Sequence, residues 1–204
     1  MSDEQQKDRG EWIETYTGKR FYILDPQPED ISIQDIAKAL SNECRFGGHA
    51  KVFYSVAQHS VIASSLGGLY HVTVRDQILE MQLALLLHDS AEAYLKDFPR
   101  PIKKMFPEID RVQDKIQKVV LTKYGVGHYM THPMTLGYIK EVDNALLGLE
   151  GKLFMRSDPI KHWPSCNNIL ELRGLDIQPW SPRVAREHFL QVFHTLIYKL
   201  GWND

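Results

Sequence analysis

Cysteine is scarce in this chain of 204 residues, with only Cys44 and Cys166 present. A disulfide-stapled secreted scaffold is therefore excluded. Both residues are expected as free thiols in a reducing compartment, and a bridge between them stays open at this level. Long hydrophobic runs are missing too. The longest, around Leu83 to Leu87, falls far short of the roughly 20 residues that a membrane span requires. Neither sign of charge dominates: 24 Lys and Arg face 26 Asp and Glu, for a net charge of -2. That balance argues against a nucleic-acid coat or a polybasic membrane anchor, so any phosphate must be held by a local basic pocket. There is no phosphate-binding P-loop, no dinucleotide glycine fingerprint and no Ser-His-Asp arrangement. Internal repeats, low-complexity tracts, a dividing linker and a secretory leader are likewise not seen. A single soluble, cytoplasmic domain is expected.

What is there is helical periodicity. After a polar stretch to Gly10, expected to fray, WIETYTGKRFYILDPQPED reads as a short hairpin or irregular segment. Ser32 is placed as N-cap of a helix with Ile33, Ile36, Ala37 and Leu40 on one face, stopped by Gly47-Gly48. Ser55 caps a second helix that ends at Gly67-Gly68. A long helix is predicted from about Val74 to Tyr94, terminated by Pro99 and Pro101. Pro107 opens another through Tyr124, with Ile109, Val112, Ile116, Val119 and Val120 inward. Met134 to about Met155 follows, carrying the stripe Leu136, Ile139, Val142, Leu146, Leu149 and Leu153. Residues 158–179 read as a proline-broken loop in which His162-Trp163-Pro164 is an anchor. Ser181-Pro182 starts the last helix, closed by Gly201. The fold class is all-α, a bundle of about six helices.

Against this background the dipeptide His88-Asp89 stands out, because it closes the apolar run MQLALLL. A carboxylate there needs a partner, and a metal ion satisfies an imidazole and a carboxylate together. His59 and Asp143 are the other candidate ligands. His59 has Val56 and Ile62 three residues away on either side, and Asp143 lies between Ile139 and Leu146 on its own apolar stripe. Inward polar groups on separate core helices are costly unless they share a cation. The bland alternative, a hydrogen-bonded core histidine, suits any one of them better than the ordered set.

The strings YSVAQHS with His59, LLLHDSAEAYLKDFPRPIK with His88-Asp89, IKEVDNAL with Asp143, and CRFGGH resemble the HD-domain metal-dependent phosphohydrolases. The branch they resemble most holds 5'-deoxynucleotidases and phage-type dATP triphosphohydrolases. The resemblance runs from about Tyr16 to Gly151, and beyond Met155 only helical character matches. It implies a mixed N/O site for Zn, Co, Mn or Fe with open coordination positions, in which the cation acidifies water and polarises a phosphoryl group. It also implies proton-transfer roles for Glu92 and Asp97. An acidic side chain beside the ion but outside its ligand set suits such work, whereas an exposed helix glutamate or a turn aspartate is the bland reading.

Arg45, next to the glycine break, has a fork suited to phosphate. Lys103 and Lys140 are further phosphate candidates against a default of solvated lysines. Phe46 is read as either a base or sugar contact or a core residue, and His49 as a residue supporting a ligand or touching phosphate. His128, His132, His188 and His194 are set aside.

The expected function is hydrolysis of a 5'-deoxynucleotide, foremost a dNTP of the dATP type to deoxynucleoside and triphosphate. The alternative is release of orthophosphate from a dNMP. A cyclic-dinucleotide phosphodiesterase and a non-catalytic helical binding module rank below these. The implied partner is a small nucleotide, with no membrane and no stable nucleic-acid binding. The implied location is the cytoplasm, that of the host if the chain is phage-encoded. Homo-oligomers are common in the family, and Trp180, Phe189, Phe193 and Tyr198 could supply an interface.

Overall fold

A computed structural model describes residues 9–70, 73–157, 163, 172 and 175–202. The N-terminal polar segment, Cys166, His162 and most of the expected loop at 158–179 lie outside them. The chain is an all-α bundle with a small hairpin at its start. Strands β1 (Trp12–Glu14) and β2 (Arg20–Tyr22) pair antiparallel with Ile13 opposite Phe21. Arg9 anchors their exit, bonding Asp25 and Asp30 and covering the Tyr22 ring.

Eight α-helices follow among the described residues: α1 (Ile33–Asn42), α2 (Val56–Leu66), α3 (Arg75–Leu86), α4 (Glu92–Leu95), α5 (Arg100–Met105), α6 (Pro107–Lys123), α7 (Pro133–Phe154) and α8 (Pro182–Leu200). Their termini follow local chemistry. Ser55 and Ser181 accept from Gln58 N and Val184 N, prolines sit at the first position of α6, α7 and α8, and Gly201 closes α8 at φ 69°. Ser32 takes the N-cap position of α1 but makes no side-chain capping bond.

Helices α2 and α3 form the centre. Helix α8 packs across α1, α2 and α3, while α7 lies against α2 and α3 from another side. One apolar cluster joins Phe21, Ile36, Leu40, Met81, Leu85, Val120, Val142, Phe189 and Phe193. Phe189 and Phe193 are thus core, and of the expected interface residues Tyr198 is the fully exposed one. On α7, Leu153 lies outside the expected stripe, 41% exposed.

The continuous helix expected over Val74–Tyr94 is corrected. Helix α3 stops at Leu86, and residues 87–91 form a turn before the four-residue α4. Three hydrogen bonds explain the stop. His88 Nδ1 donates to Leu85 O at 2.7 Å, occupying the acceptor of the next helical turn. Gln117 of α6 fills the opening, donating to Leu87 O at 2.6 Å and accepting from Ala91 N at 2.9 Å. Hydrophobic periodicity carries no sign of this, because Gln117 is remote in sequence. Cys44 is a half-buried free thiol.

Candidate metal centre

Four elements converge at the break. Helix α2 contributes His59, the turn after α3 contributes His88 and Asp89, and α7 contributes Asp143 and Glu150. The segment before α2 contributes Arg45, which is held inward by Arg45 N→Tyr54 O and the Cys44–Ser55 bridge. Beyond it the chain turns sharply, with Phe46, Gly47 and Gly48 all at positive φ. Glycine takes that backbone without cost, whereas Phe46 at φ 60° is strained.

His59 is fully buried and its Nδ1 donates to Glu150 Oε1 at 2.7 Å. His88 Nδ1 donates to Leu85 O, which can only accept. With both Nδ1 atoms committed as donors, each neutral imidazole turns an Nε2 lone pair inward. The two Nε2 atoms face one another at 3.3 Å. Asp89 Oδ2 lies 3.3 Å from His88 Nε2 and 3.7 Å from His59 Nε2, and Asp143 Oδ1 lies 3.4 Å from His59 Nε2. His59, His88 and Asp89 bring one donor atom each within 4.8 Å of one another, a group that could hold a metal ion. Facing lone pairs ringed by carboxylate oxygens call for a proton or a cation between them.

The electrostatics agree. Burial and Arg45 push the His59 pKa down, but Glu150 and Asp143 outweigh them and raise it to about 9. Without a metal, His59 therefore carries the proton the cluster requires. Burial raises the Asp143 carboxyl, yet bonding to His59 and the charges of His59, His88 and Arg45 hold it well below the carboxylate range. Glu150 is lowered in the same way, Arg45 and His59 overcoming burial. Arg45, Arg100 and Lys103 offset these carboxylates, so it is the donor atoms, and not an excess of negative charge, that suit a divalent cation. The donor set, two imidazoles and two carboxylates, fits such an ion.

Arg45 lies 3.1 Å from Glu150, 3.5 Å from Asp89 and 3.9 Å from Asp143. Glu92 is buried with Oε1 3.3 Å from Lys103 Nζ, and its Oε2 has no hydrogen-bond partner among the described residues. Burial, Asp89 and Asp97 raise its pKa well above the ordinary value, against Lys103 and Arg45. Asp97 is raised as well, by burial and then by Asp89, which together exceed the opposing pull of Arg45. It follows Lys96, whose φ of 91° redirects the chain at the end of α4.

Lys103 thus joins the group, whereas Lys140 and His49 are exposed and no hydrogen bond or ion pair ties either side chain to it. Phe46 is half-buried beside Arg45, with Trp163 stacked on it at 6.1 Å.

Sequence reasoning missed two residues. Glu150 lies seven positions after Asp143, two helical turns along the same face of α7 and inside an apolar stretch, and that is a legible signal. It also accepts from Tyr54 OH at 2.7 Å. Arg100 donates to Asp143 Oδ2 at 3.2 Å and Asn144 Oδ1 at 2.7 Å from the exposed side. Nothing in its local sequence marks it apart from DFPRPIK itself.

No family model matches the chain. Two relatives cover nearly all of it. Escherichia coli (strain K12) YfdR, described as uncharacterized, is 35% identical over 185 residues, 91% of this chain and 95% of that protein. An uncharacterized Rhodobacter capsulatus protein is 29% identical over 199 residues, 93% of this chain and 97% of its own. The chain belongs to the family of YfdR. Neither relative's description states an activity. Among the described residues no helix is long and apolar enough to cross a membrane.

Proposed function

We propose that this protein is a divalent-metal-dependent phosphohydrolase of 5'-deoxynucleotides, with Zn, Co, Mn or Fe held by His59, His88, Asp89 and Asp143. The observation that carries the reading is the pair of Nε2 atoms facing each other at 3.3 Å, each with its Nδ1 fixed by an acceptor, between the carboxylates of Asp89 and Asp143. The HD-type motifs of the sequence support the reaction class. When bound, the cation supplies a Lewis acid that acidifies water and polarises a phosphoryl oxygen.

The chain's own groups do the rest. Lys103 engages Oε1 of Glu92, which leaves Oε2 as the oxygen that would carry a proton to the departing 5' oxygen, and burial raises that carboxyl's proton affinity. Asp97 is a second carboxyl whose proton affinity is raised by burial and by Asp89. Lys103 Nζ and Arg100 offer positive charge to phosphate oxygens. Phe46, between Arg45 and Trp163, is the candidate contact for the sugar or base.

Between the two products, the cations favour orthophosphate release from a dNMP over triphosphate release from a dNTP. Of the three cations expected to grip a polyphosphate, Lys140 is outside the group and Arg45 is engaged by three carboxylates. Lys103 and Arg100, each paired with a single carboxylate among the described residues, remain for one phosphate monoester.

The test is direct. Chelator-stripped protein is reloaded separately with each of the four metals and offered dAMP, dATP, AMP and ATP, with products read by chromatography. Orthophosphate from dAMP is the expected result, and triphosphate from dATP would restore the dNTP reading. No hydrolysis of any nucleotide with any of the metals would refute both. Asp89→Ala should lose bound metal and turnover while keeping its helicity.

A further inference from the structure

Away from the histidine cluster, α1 and α8 leave between them a cavity of about 370 Å3. Lys38 and Ser41 line it from α1, and Arg183, Arg186 and Glu187 from the start of α8. Three cations thus meet one carboxylate, on a chain whose net charge is -2. Glu187 pairs with Arg183 at 2.8 Å, but both side chains are exposed, so the pair is weak and an incoming anion can compete for the guanidinium.

Arg186 has only neutral acceptors among the described residues. It donates to Gln34 Oε1 at 3.1 Å and Tyr16 OH at 3.4 Å, and its guanidinium covers the Tyr16 ring at 4.7 Å. Its Nε is buried without a hydrogen-bond partner. The cations are also placed at the wrong end of a helix. The N-terminus of α8 is the positive end of its dipole, where acidic side chains are favoured, yet its first turn has none and carries Arg183. That concentration of charge is favourable once an anion supplies the missing negative charge.

A neighbouring cavity of about 160 Å3 shares Lys38 and is lined by Glu14 and Asp35, which suit the neutral nucleoside part of a ligand rather than its phosphates, and by Tyr16, Ala93 and Tyr94. The last two belong to α4, directly after Glu92.

We propose that the α1–α8 groove is a second binding site, separate from the histidine cluster, for a phosphate-bearing anion held by Lys38, Arg183 and Arg186. Inorganic polyphosphate would use the basic groove alone. A nucleoside phosphate would also reach the cavity beside Tyr16, and contact there bears on the helix that carries Glu92.

The test is a titration of the full isotope-labelled chain, kept in chelator so that no turnover occurs, with tripolyphosphate and separately with dATP. Saturable amide shifts at Lys38 and over 183–187 are expected. Lys38→Gln and Arg183→Gln should each weaken binding about tenfold, the loss of one charge-assisted contact, and Glu187→Gln should tighten it. Equal affinity for the two ligands identifies polyphosphate as the determinant, and tighter dATP binding brings in the Tyr16 cavity. Shifts confined to the surroundings of Arg45, His59 and His88, or unchanged affinity in both cation variants with unaltered melting, would overturn the proposal. Because no metal is present, that outcome is independent of whether the histidine cluster turns over nucleotide.

Discussion

Replacing Glu150 by Gln keeps its shape and removes its charge, which isolates what that carboxylate does. In the folded chain Oε1 accepts from His59 Nδ1 and Tyr54 OH, each at 2.7 Å, and Oε2 lies 3.1 Å from Arg45 Nε. The residue is fully buried. Converting two charge-assisted hydrogen bonds to neutral ones costs about 1 kcal/mol each. Breaking a buried ion pair by removing one partner costs about 3–5 kcal/mol. Arg45 retains Asp89 and Asp143 at 3.5 and 3.9 Å, which reduces that share to the lower end or less. The expected loss is about 3–5 kcal/mol, measured as a fall in the urea midpoint of the metal-free protein.

The amide can also donate to His59 Nδ1, which would let the imidazole present the wrong tautomer to the cation. Zinc affinity, read by chelator competition, should therefore fall about 10- to 100-fold. Tyr54→Phe is the companion variant. It removes one hydrogen bond, should cost about 1 kcal/mol, and leaves the His59 contact and hence the zinc affinity intact. A loss below about 1 kcal/mol in Glu150→Gln together with unchanged zinc binding would refute the idea that Glu150 orients His59.

Stability of the metal-free protein should depend on pH with a definite sign. His59 has its pKa raised from 6.5 to about 9, so its contribution is complete below pH 6.5 and is lost as pH rises toward 9. The expected decline is about 3 kcal/mol. A zinc-loaded sample, in which the ion replaces that proton, should lack the decline, and zinc binding near neutral pH should release a proton to buffer. Identical pH profiles with and without zinc would contradict the assignment. Gln117→Leu removes the groups that satisfy Leu87 O and Ala91 N, and should cost about 3 kcal/mol in chemical unfolding. Lys103→Ala should raise the KM of the reloaded enzyme for deoxynucleotides about tenfold or more, whereas Lys140→Ala should leave it unchanged. The reverse order would show that the lysines were misassigned.

Most helices were readable from periodicity and caps because they are amphipathic and bounded by serine, proline and glycine. Helix α1 buries Ile33, Ile36, Ala37 and Leu40 as its spacing requires, and α8 runs from Ser181-Pro182 to Gly201. The break after Leu86 was not readable, since the run MQLALLLHDSAEAYL continues a helical pattern while the groups that interrupt it are an imidazole and a glutamine from α6. The ligand candidates were legible because inward-facing His59, His88 and Asp143 conflict with their apolar neighbours. Lys103 and Lys140 looked alike in sequence, and only the packing of α5 brings Lys103 to Glu92 at 3.3 Å.

The sequence by itself therefore determined the helical class and the residue types that could hold a metal ion, because periodicity and inward-facing polar groups are local properties. The tertiary structure alone decided which cations reach the site, that Glu150 fixes His59 from two turns beyond Asp143, and that the His88-Asp89 dipeptide sits in a turn. These depend on side chains meeting across elements far apart in the chain, and no local pattern encodes such distances.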